Sequence, residues 1–98
     1  MWQLIEYNNG KKVIHLVSDY INQRYTNWDR WIGALKETEI PTKIIWAKED
    51  PVAVKAIAEL LAIEIKNNKL LWLENCGHFP MLEKPKEWTD LVLKDSIL

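Results

Sequence analysis

The amino-acid sequence predicts an α/β fold with two parallel strands and flanking helices. Three observations point there. Two short apolar runs, Ile44-Ile45-Trp46 and Leu70-Leu71-Trp72-Leu73, have the continuous hydrophobic pattern of strands buried on both faces. Between them lies a segment with apolar residues on a 3.6 period, and a proline-started helical pattern follows the second run. Strand, helix and strand in this compass form a βαβ unit, which is joined by a right-handed crossover and has parallel strands.

The elements follow in chain order. Trp2, Leu4, Ile5 and Tyr7 form a short apolar piece closed by Asn8-Asn9-Gly10, a strong turn signal. From Lys11 to Tyr25, the spacing of Val13, Val17, Tyr20, Ile21 and Arg24 predicts one helix. A second helix is predicted next, capped by Thr26 or Asn27. Asp29 lies in its first turn, and Trp28, Trp31, Ile32 and Leu35 form its apolar stripe. Ile40-Pro41 closes that segment, and Thr42 to Ala47 is the first strand. Asp50-Pro51 then reads as the N-cap and first position of a helix continued by Val54, Ile57, Ala58, Leu61 and Ile65 and stopped at Asn67-Asn68. Lys69 to Glu74 is the second strand, Asn75-Cys76-Gly77 a turn, and Pro85 the start of a helix with Trp88, Leu91 and Val92 on one face.

Composition narrows the function classes. Thirteen Lys and Arg against 14 Asp and Glu give a net charge of −1 over 98 residues, which leaves no basic field for a nucleic-acid backbone. No run is long and apolar enough to span a membrane, and the first residues lack the pattern of a secretory leader, so the expected location is cytoplasmic. The single cysteine, Cys76, excludes an internal disulfide and a multi-cysteine metal site, and no metal ligand set is identified. There is no Gly-rich phosphate loop and no Gly-x-Ser-x-Gly.

Two parallel apolar strands do not make a viable sheet by themselves, because both faces need cover and each outer edge needs a partner. The expectation is therefore a part of a larger α/β domain, or a chain that completes its sheet by oligomerising or by pairing with another chain.

Chemistry is concentrated at two residues. Asp50 follows the first strand and His78 the second, and parallel sheets assemble their sites outside the carboxyl ends of the strands. An Asp accepting from one ring nitrogen of a His fixes its tautomer and supports proton uptake at the other nitrogen. Each also has a plainer reading, Asp50 as a helix cap and His78 as a solvated turn residue. His15 reads as structural and Cys76 as buried and inert. The Trp and Tyr residues near the start read as core at helical spacing, with a ligand pocket as the alternative. Lys48, Glu49 and Glu83 read as solvated or capping groups.

Taken together, IPTKIIWAKEDPVA and LLWLENCGHFPMLEKP, with Asp50 and His78 spaced 28 positions apart, resemble the last two strands of α/β-hydrolase-fold enzymes. Pro41, Trp46, Asp50, Gly77, His78, Phe79, Pro80, Glu83 and Pro85 fall in step with that family's pattern, while Ala47 stands where Gly is usual. Upstream, Tyr20 to Leu35 resembles the segment joining cap and core in the haloalkane-dehalogenase and epoxide-hydrolase branch, and within it the mesoderm-specific-transcript-like proteins.

The resemblance implies the C-terminal portion of an α/β-hydrolase fold, with residues 1–36 the end of the cap and linking helices and 37–98 a βαβα part of the core. Asp50 would be the acid and His78 the base of a nucleophile-His-Asp triad acting through a covalent ester intermediate. Trp28, Trp31 and Phe79 would line the substrate site. The implied substrates are small apolar esters, epoxides or haloalkanes, with an Asp nucleophile favoured by the branch, and no cofactor is implied. Nucleophile and oxyanion hole are absent from these residues, so the chain alone is expected to be inactive. Two other readings stand beside this one: a non-catalytic interaction module, and a split enzyme completed by a separate chain.

Overall fold

The computed structural model describes residues 2–94; Met1 and residues 95–98 lie outside the described residues. The chain divides into two compact units, one running to Gly33 and the other beginning at Ala34.

The first unit is helical throughout. Helix α1 (Trp2–Glu6) runs into a 3₁₀ segment, Tyr7–Lys12. Asn8 and Asn9 both take left-handed backbone angles there, with φ of 51° and 60°, a conformation asparagine tolerates better than most residues. Gly10 is required by proximity, since a Cβ would lie 2.2 Å from the Ile5 carbonyl oxygen. The single helix expected over Lys11 to Tyr25 is instead two short ones, α2 (Ile14–Val17) and α3 (Tyr20–Thr26).

Around Ser18 and Asp19 the backbone bonds tighten to three-residue spacing, Asp19 N–H to Leu16 and Ile21 N–H to Ser18. The Asp19 carboxylate meanwhile accepts from the side-chain amides of Asn22 and Gln23. Those two bonds, Asn22 first, outweigh a small opposing effect of burial and hold its carboxyl below the ordinary value. Helix α4 (Trp28–Glu37) begins where the sequence places it: the Asn27 carbonyl accepts from Trp31 N–H, and the Asn27 side-chain amide donates to the Gln23 carbonyl at the end of α3. No residue from 2 to 33 is buried. The reading of its apolar stripes as core is therefore corrected: Val17, Tyr20, Ile21 and Trp28 are exposed, because no second layer in this unit covers them.

The second unit is the predicted βαβ arrangement. Strands β1 (Thr42–Ala47) and β2 (Asn68–Leu73) pair in parallel, in register from Thr42 opposite Asn68 to Ala47 opposite Leu73. Helix α5 (Lys55–Glu64) makes the crossover, and two helices follow, α6 (Pro80–Glu83) and α7 (Pro85–Leu93). Asn68 marks the end of the crossover as expected, its side-chain amide donating at 2.7 Å to the carbonyls of Ala62 and Ile65.

Ala47, Leu73 and Cys76 form a buried cluster, against which Ile45, Trp88 and Leu91 pack. Side chains alternate along a strand, so Ile44 and Trp46 face the other way, where the Trp46 indole N–H donates to the Ala53 carbonyl at 2.8 Å on the approach to α5. The Lys43 ammonium reaches the C-terminus of α7 and donates to the carbonyls of Leu91 (3.0 Å), Val92 (2.9 Å) and Lys94. A cation placed there complements both the unpaired carbonyls and the helix dipole.

The structure corrects two further expectations. Helix α5 starts at Lys55, with Val54 in extended conformation before it, so Asp50-Pro51 opens a turn and not the helix. The strands are mostly half-buried, Ile44, Ala47 and Leu73 being their buried residues. Two strands give each helix only a narrow surface to cover, and Ile57, Leu60 and Ile63 of α5 remain exposed. Among the described residues no helix is long and apolar enough to cross a membrane.

Candidate active site

The ends of β1 and β2 lie side by side, and the ladder continues one step beyond them through Lys48 N–H to the Leu73 carbonyl at 3.0 Å. Both chains then leave the sheet at its C-terminal edge. The β1 exit turns sharply, and the Asp50 carboxylate holds that turn: its Oδ1 accepts from Val52 N–H at 2.8 Å and from Ala53 N–H at 2.9 Å. This is the chemistry of a helix cap applied to a turn that no helix immediately follows.

Its second oxygen is directed across the edge. Asp50 Oδ2 lies 2.9 Å from His78 Nδ1, with the aspartate 8% exposed and the histidine side chain 43% exposed. Burial pushes the Asp50 carboxyl up, but the hydrogen bonds from His78, Ala53 and Val52, together with the His78 charge, outweigh it. The net effect holds it below the ordinary carboxylate value. An ionised carboxylate only accepts, so Nδ1 carries the proton, and in the neutral ring Nε2 is left with a free lone pair. The arrangement can therefore take a proton at Nε2 while Asp50 holds the ring and faces the resulting positive charge.

The β2 exit is held by two glutamates. Asn75 takes a left-handed φ of 50°, turning the chain off the strand. The Cys76 N–H then donates to Glu49 Oε2 at 3.3 Å. Glu83 spans His78: Oε1 accepts from Gly77 N–H and Oε2 from Phe79 N–H, each at 3.0 Å. The sequence reading of Glu83 as a solvated or capping group holds for its bond to Phe79 at the start of α6 and missed the second bond, to Gly77, and the same reading of Glu49 missed its bond to Cys76. A signal was present for Glu83, which lies four residues after Phe79 at the end of the one-turn, proline-started α6, one position beyond that from which a capping-box glutamate reaches back. Nothing in the sequence marks Glu49. Lys48 pairs with Glu74 at 2.6 Å and lies 5.9 Å above the Trp72 ring, an exposed surface arrangement.

Of the other expected site residues, Phe79 adjoins the dyad, with ring centroids 5.1 Å apart and an edge-to-face angle of 75° to His78. Trp28 and Trp31 lie on α4 and are exposed, and Trp28 lines a small hollow with Ile21, Arg24 and Tyr25. Cys76 is buried, and its thiol is pushed up first by burial and then by the charge of Glu83, with Glu49 and Asp50 acting in the same direction and Lys84 against them. Among the described residues no group of three or more His, Cys, Asp or Glu is placed to hold a metal ion. A concavity lined by Trp72, Glu74, Lys84 and Glu87 lies along β2 and α7 and includes neither Asp50 nor His78.

No model of a known protein family matches the chain. LipZ of Mycobacterium tuberculosis, named as a hydrolase, is 30% identical over 92 residues, which make up 94% of this chain and 32% of that protein. The mesoderm-specific transcript protein of Mus musculus is 34% identical over 87 residues, 87% of this chain and 26% of that protein. The monoacylglycerol lipase ABHD6 of Mus musculus is 37% identical over 59 residues, 60% of this chain and 18% of that protein. Among solved structures, the α/β hydrolase enzyme MGS-MChE2, from the metagenome of lagoon sediments at Mar Chica, Morocco, superposes with a TM-score of 0.59 at 26% identity. That match covers 84% of this chain and 42% of the other. The chain thus spans about a third of LipZ and less of the other two relatives. Its two parallel strands and flanking helices are the C-terminal portion of an α/β-hydrolase fold.

Proposed function

We propose that Asp50 and His78 are the acid and base of a nucleophile-His-Asp triad that hydrolyses an ester through a covalent intermediate. The observation that carries this is the 2.9 Å contact between a buried, low-lying carboxylate and a half-exposed imidazole at the C-terminal edge of a parallel sheet. In the proposed cycle His78 Nε2 takes the proton of the nucleophile, gives it to the leaving alcohol, then takes a proton from the water that cleaves the intermediate and passes it to the released nucleophile. Asp50 keeps the ring in the Nδ1–H tautomer throughout. Nucleophile and oxyanion donors come from residues other than these 98, so the isolated chain is inactive in this reading.

An ester substrate is favoured because ABHD6 is named a monoacylglycerol lipase. A second reading, a carboxylate nucleophile acting on an epoxide or haloalkane, is favoured by the resemblance of Tyr20 to Leu35 to the dehalogenase and epoxide-hydrolase branch. Residues 1–36 then belong to the cap, with Trp28 and Trp31 facing an apolar substrate.

The test is hydrolysis of p-nitrophenyl butyrate by the polypeptide of the full open reading frame that contains these residues. His78→Ala is expected to lower kcat by roughly 10⁴-fold or more. Activity unchanged in that variant refutes the assignment. Single turnover in heavy-oxygen water separates the nucleophiles, because an attacking carboxylate takes up the label and a hydroxyl does not. A non-catalytic module shows no hydrolysis and sediments as a stable oligomer.

A further inference from the structure

We propose that Glu83 is a positioning residue for His78: by accepting the amides on either side of it, its carboxylate sets the backbone path that brings the imidazole to Asp50. This rests on the reading of Asp50 and His78 as acid and base. Glu83 has an ordinary structural use, since its bond to Phe79 N–H resembles the back half of a capping box for α6, while Leu82 and Glu83 N–H donate to the Phe79 carbonyl. A cap alone accounts for only one of its oxygens. The other accepts from Gly77 N–H, which precedes His78 and belongs to no helix. The two bonds therefore close a bridge over His78, holding the Cys76–Gly77 and His78–Phe79 peptides while its side chain stays free to reach Asp50.

Gly77 shows the closeness of the fit. A Cβ at that position would lie 3.2 Å from Oε2 and 3.3 Å from Oε1 of Glu83, nearer than ordinary contact, although the backbone there is not left-handed. A side chain at this position would push the Glu83 carboxylate back by a few tenths of an ångström, so glycine here allows its close approach. Glu49 anchors the preceding peptide, Cys76, so the exit from β2 is held by a carboxylate at two successive points before the ring is presented. An error in ring placement of about 1 Å can cost roughly a hundredfold in rate, which is the scale on which such a bridge acts.

The experiment compares Glu83→Gln, Glu83→Ala and Gly77→Ala in the polypeptide of the full open reading frame, by amide hydrogen exchange and by ester hydrolysis. Gln is nearly isosteric but has one acceptor oxygen, so it keeps one of the two bonds and the fold. Exchange at Gly77 or Phe79 is expected to quicken in Glu83→Gln, and at both in Glu83→Ala, while Val52 and Ala53, bonded to Asp50, stay as protected as before. In hydrolysis kcat is expected to fall about tenfold to a hundredfold with KM unchanged. Gly77→Ala combined with Glu83→Gln is expected to cost little more than either alone, since both disturb one bridge.

The proposal is overturned if Glu83→Gln leaves both exchange and kcat unchanged. It is equally overturned if exchange quickens at Val52 and Ala53 to the same extent, which is general loosening, or if the two amides open with kcat intact. Should His78→Ala leave hydrolysis untouched, the acid-base reading fails, and the exchange pattern still decides whether Glu83 holds the loop.

Discussion

Asp50→Asn separates the two uses of that side chain. The carboxylate takes three hydrogen bonds in the structure, two from Val52 and Ala53 at Oδ1 and one from His78 Nδ1 at Oδ2. An asparagine oxygen can still accept both backbone amides, so the turn after β1 survives. The third bond reverses: the asparagine NH₂ is a donor and requires Nδ1 of His78 as acceptor, which moves the ring proton to Nε2. The variant therefore keeps the fold and blocks the nitrogen that the proposed chemistry needs, with an expected loss in kcat of about 10⁴-fold, the scale set by the same exchange in a serine-protease triad.

Two readouts follow from this. Long-range proton-nitrogen spectra of the chain are expected to show the His78 proton on Nδ1 in the native sequence and on Nε2 in the variant. The second is pH. The Asp50 carboxyl is held below its unfolded value of about 3.9, so its contribution to stability is present above that value and lost as pH falls through the lower folded one. Acid unfolding of the native chain is expected to show this dependence below about pH 4, and Asp50→Asn to show a shallower one, keeping the part owed to Asp19. The same ring tautomer in both proteins, or an unchanged acid-unfolding slope, would refute the argument.

Lys43→Met keeps the aliphatic stem but removes the ammonium from the three carbonyls at the end of α7, and is expected to cost about 1–2 kcal/mol in urea unfolding; a loss under about 0.3 kcal/mol would mean that water replaces it fully. Asn75→Val places a branched side chain at φ 50° and is expected to destabilise by about 1–2 kcal/mol, whereas Asn75→Gly is expected to be neutral or better, both read from melting temperature. The Cys76 thiol is raised chiefly by burial. Its contribution to stability is therefore full below the unfolded value of about 8.5 and lost as pH rises through the folded one. Its alkylation at neutral pH is expected to be far slower than in the urea-unfolded chain, and equal rates would contradict the burial.

The second unit was legible where local pattern and tertiary environment agree. Continuous apolar runs located β1 within its observed bounds and β2 to within a residue at each end, and Pro85 marked the start of α7. The first unit was less so. Its apolar period is compatible with one long helix, but Ser18 and Asp19 pull hydrogen bonds to three-residue spacing. A periodic pattern carries no record of such local competition. Nor does it record whether a partner layer exists, so stripes that read as core are exposed. The α5 boundary failed for a related reason: Asp-Pro is a signal for a turn as much as for a helix start, and here the turn prevails until Val54.

That failure also resolves an ambiguity in the sequence. There, a capping role and an acid role for Asp50 stand as alternatives, since either explains an aspartate at the end of a strand. In the structure the two oxygens have different partners, and the proposed acid role rests on the second. Oδ1 secures Val52 and Ala53, which fixes the carboxylate plane without His78 and leaves Oδ2 pointing across the sheet edge. On the other strand Glu83 divides its two oxygens between Gly77 and Phe79. In both cases a backbone bond that looks merely structural is what orients the group beside it. A carboxylate with one oxygen unbonded would turn about its terminal torsion, which has broad minima, and the ring would meet a moving acceptor. Bonds to the backbone on each side of the Asp50–His78 pair remove that freedom, and in the proposed reaction this is the preorganisation that would act on the rate.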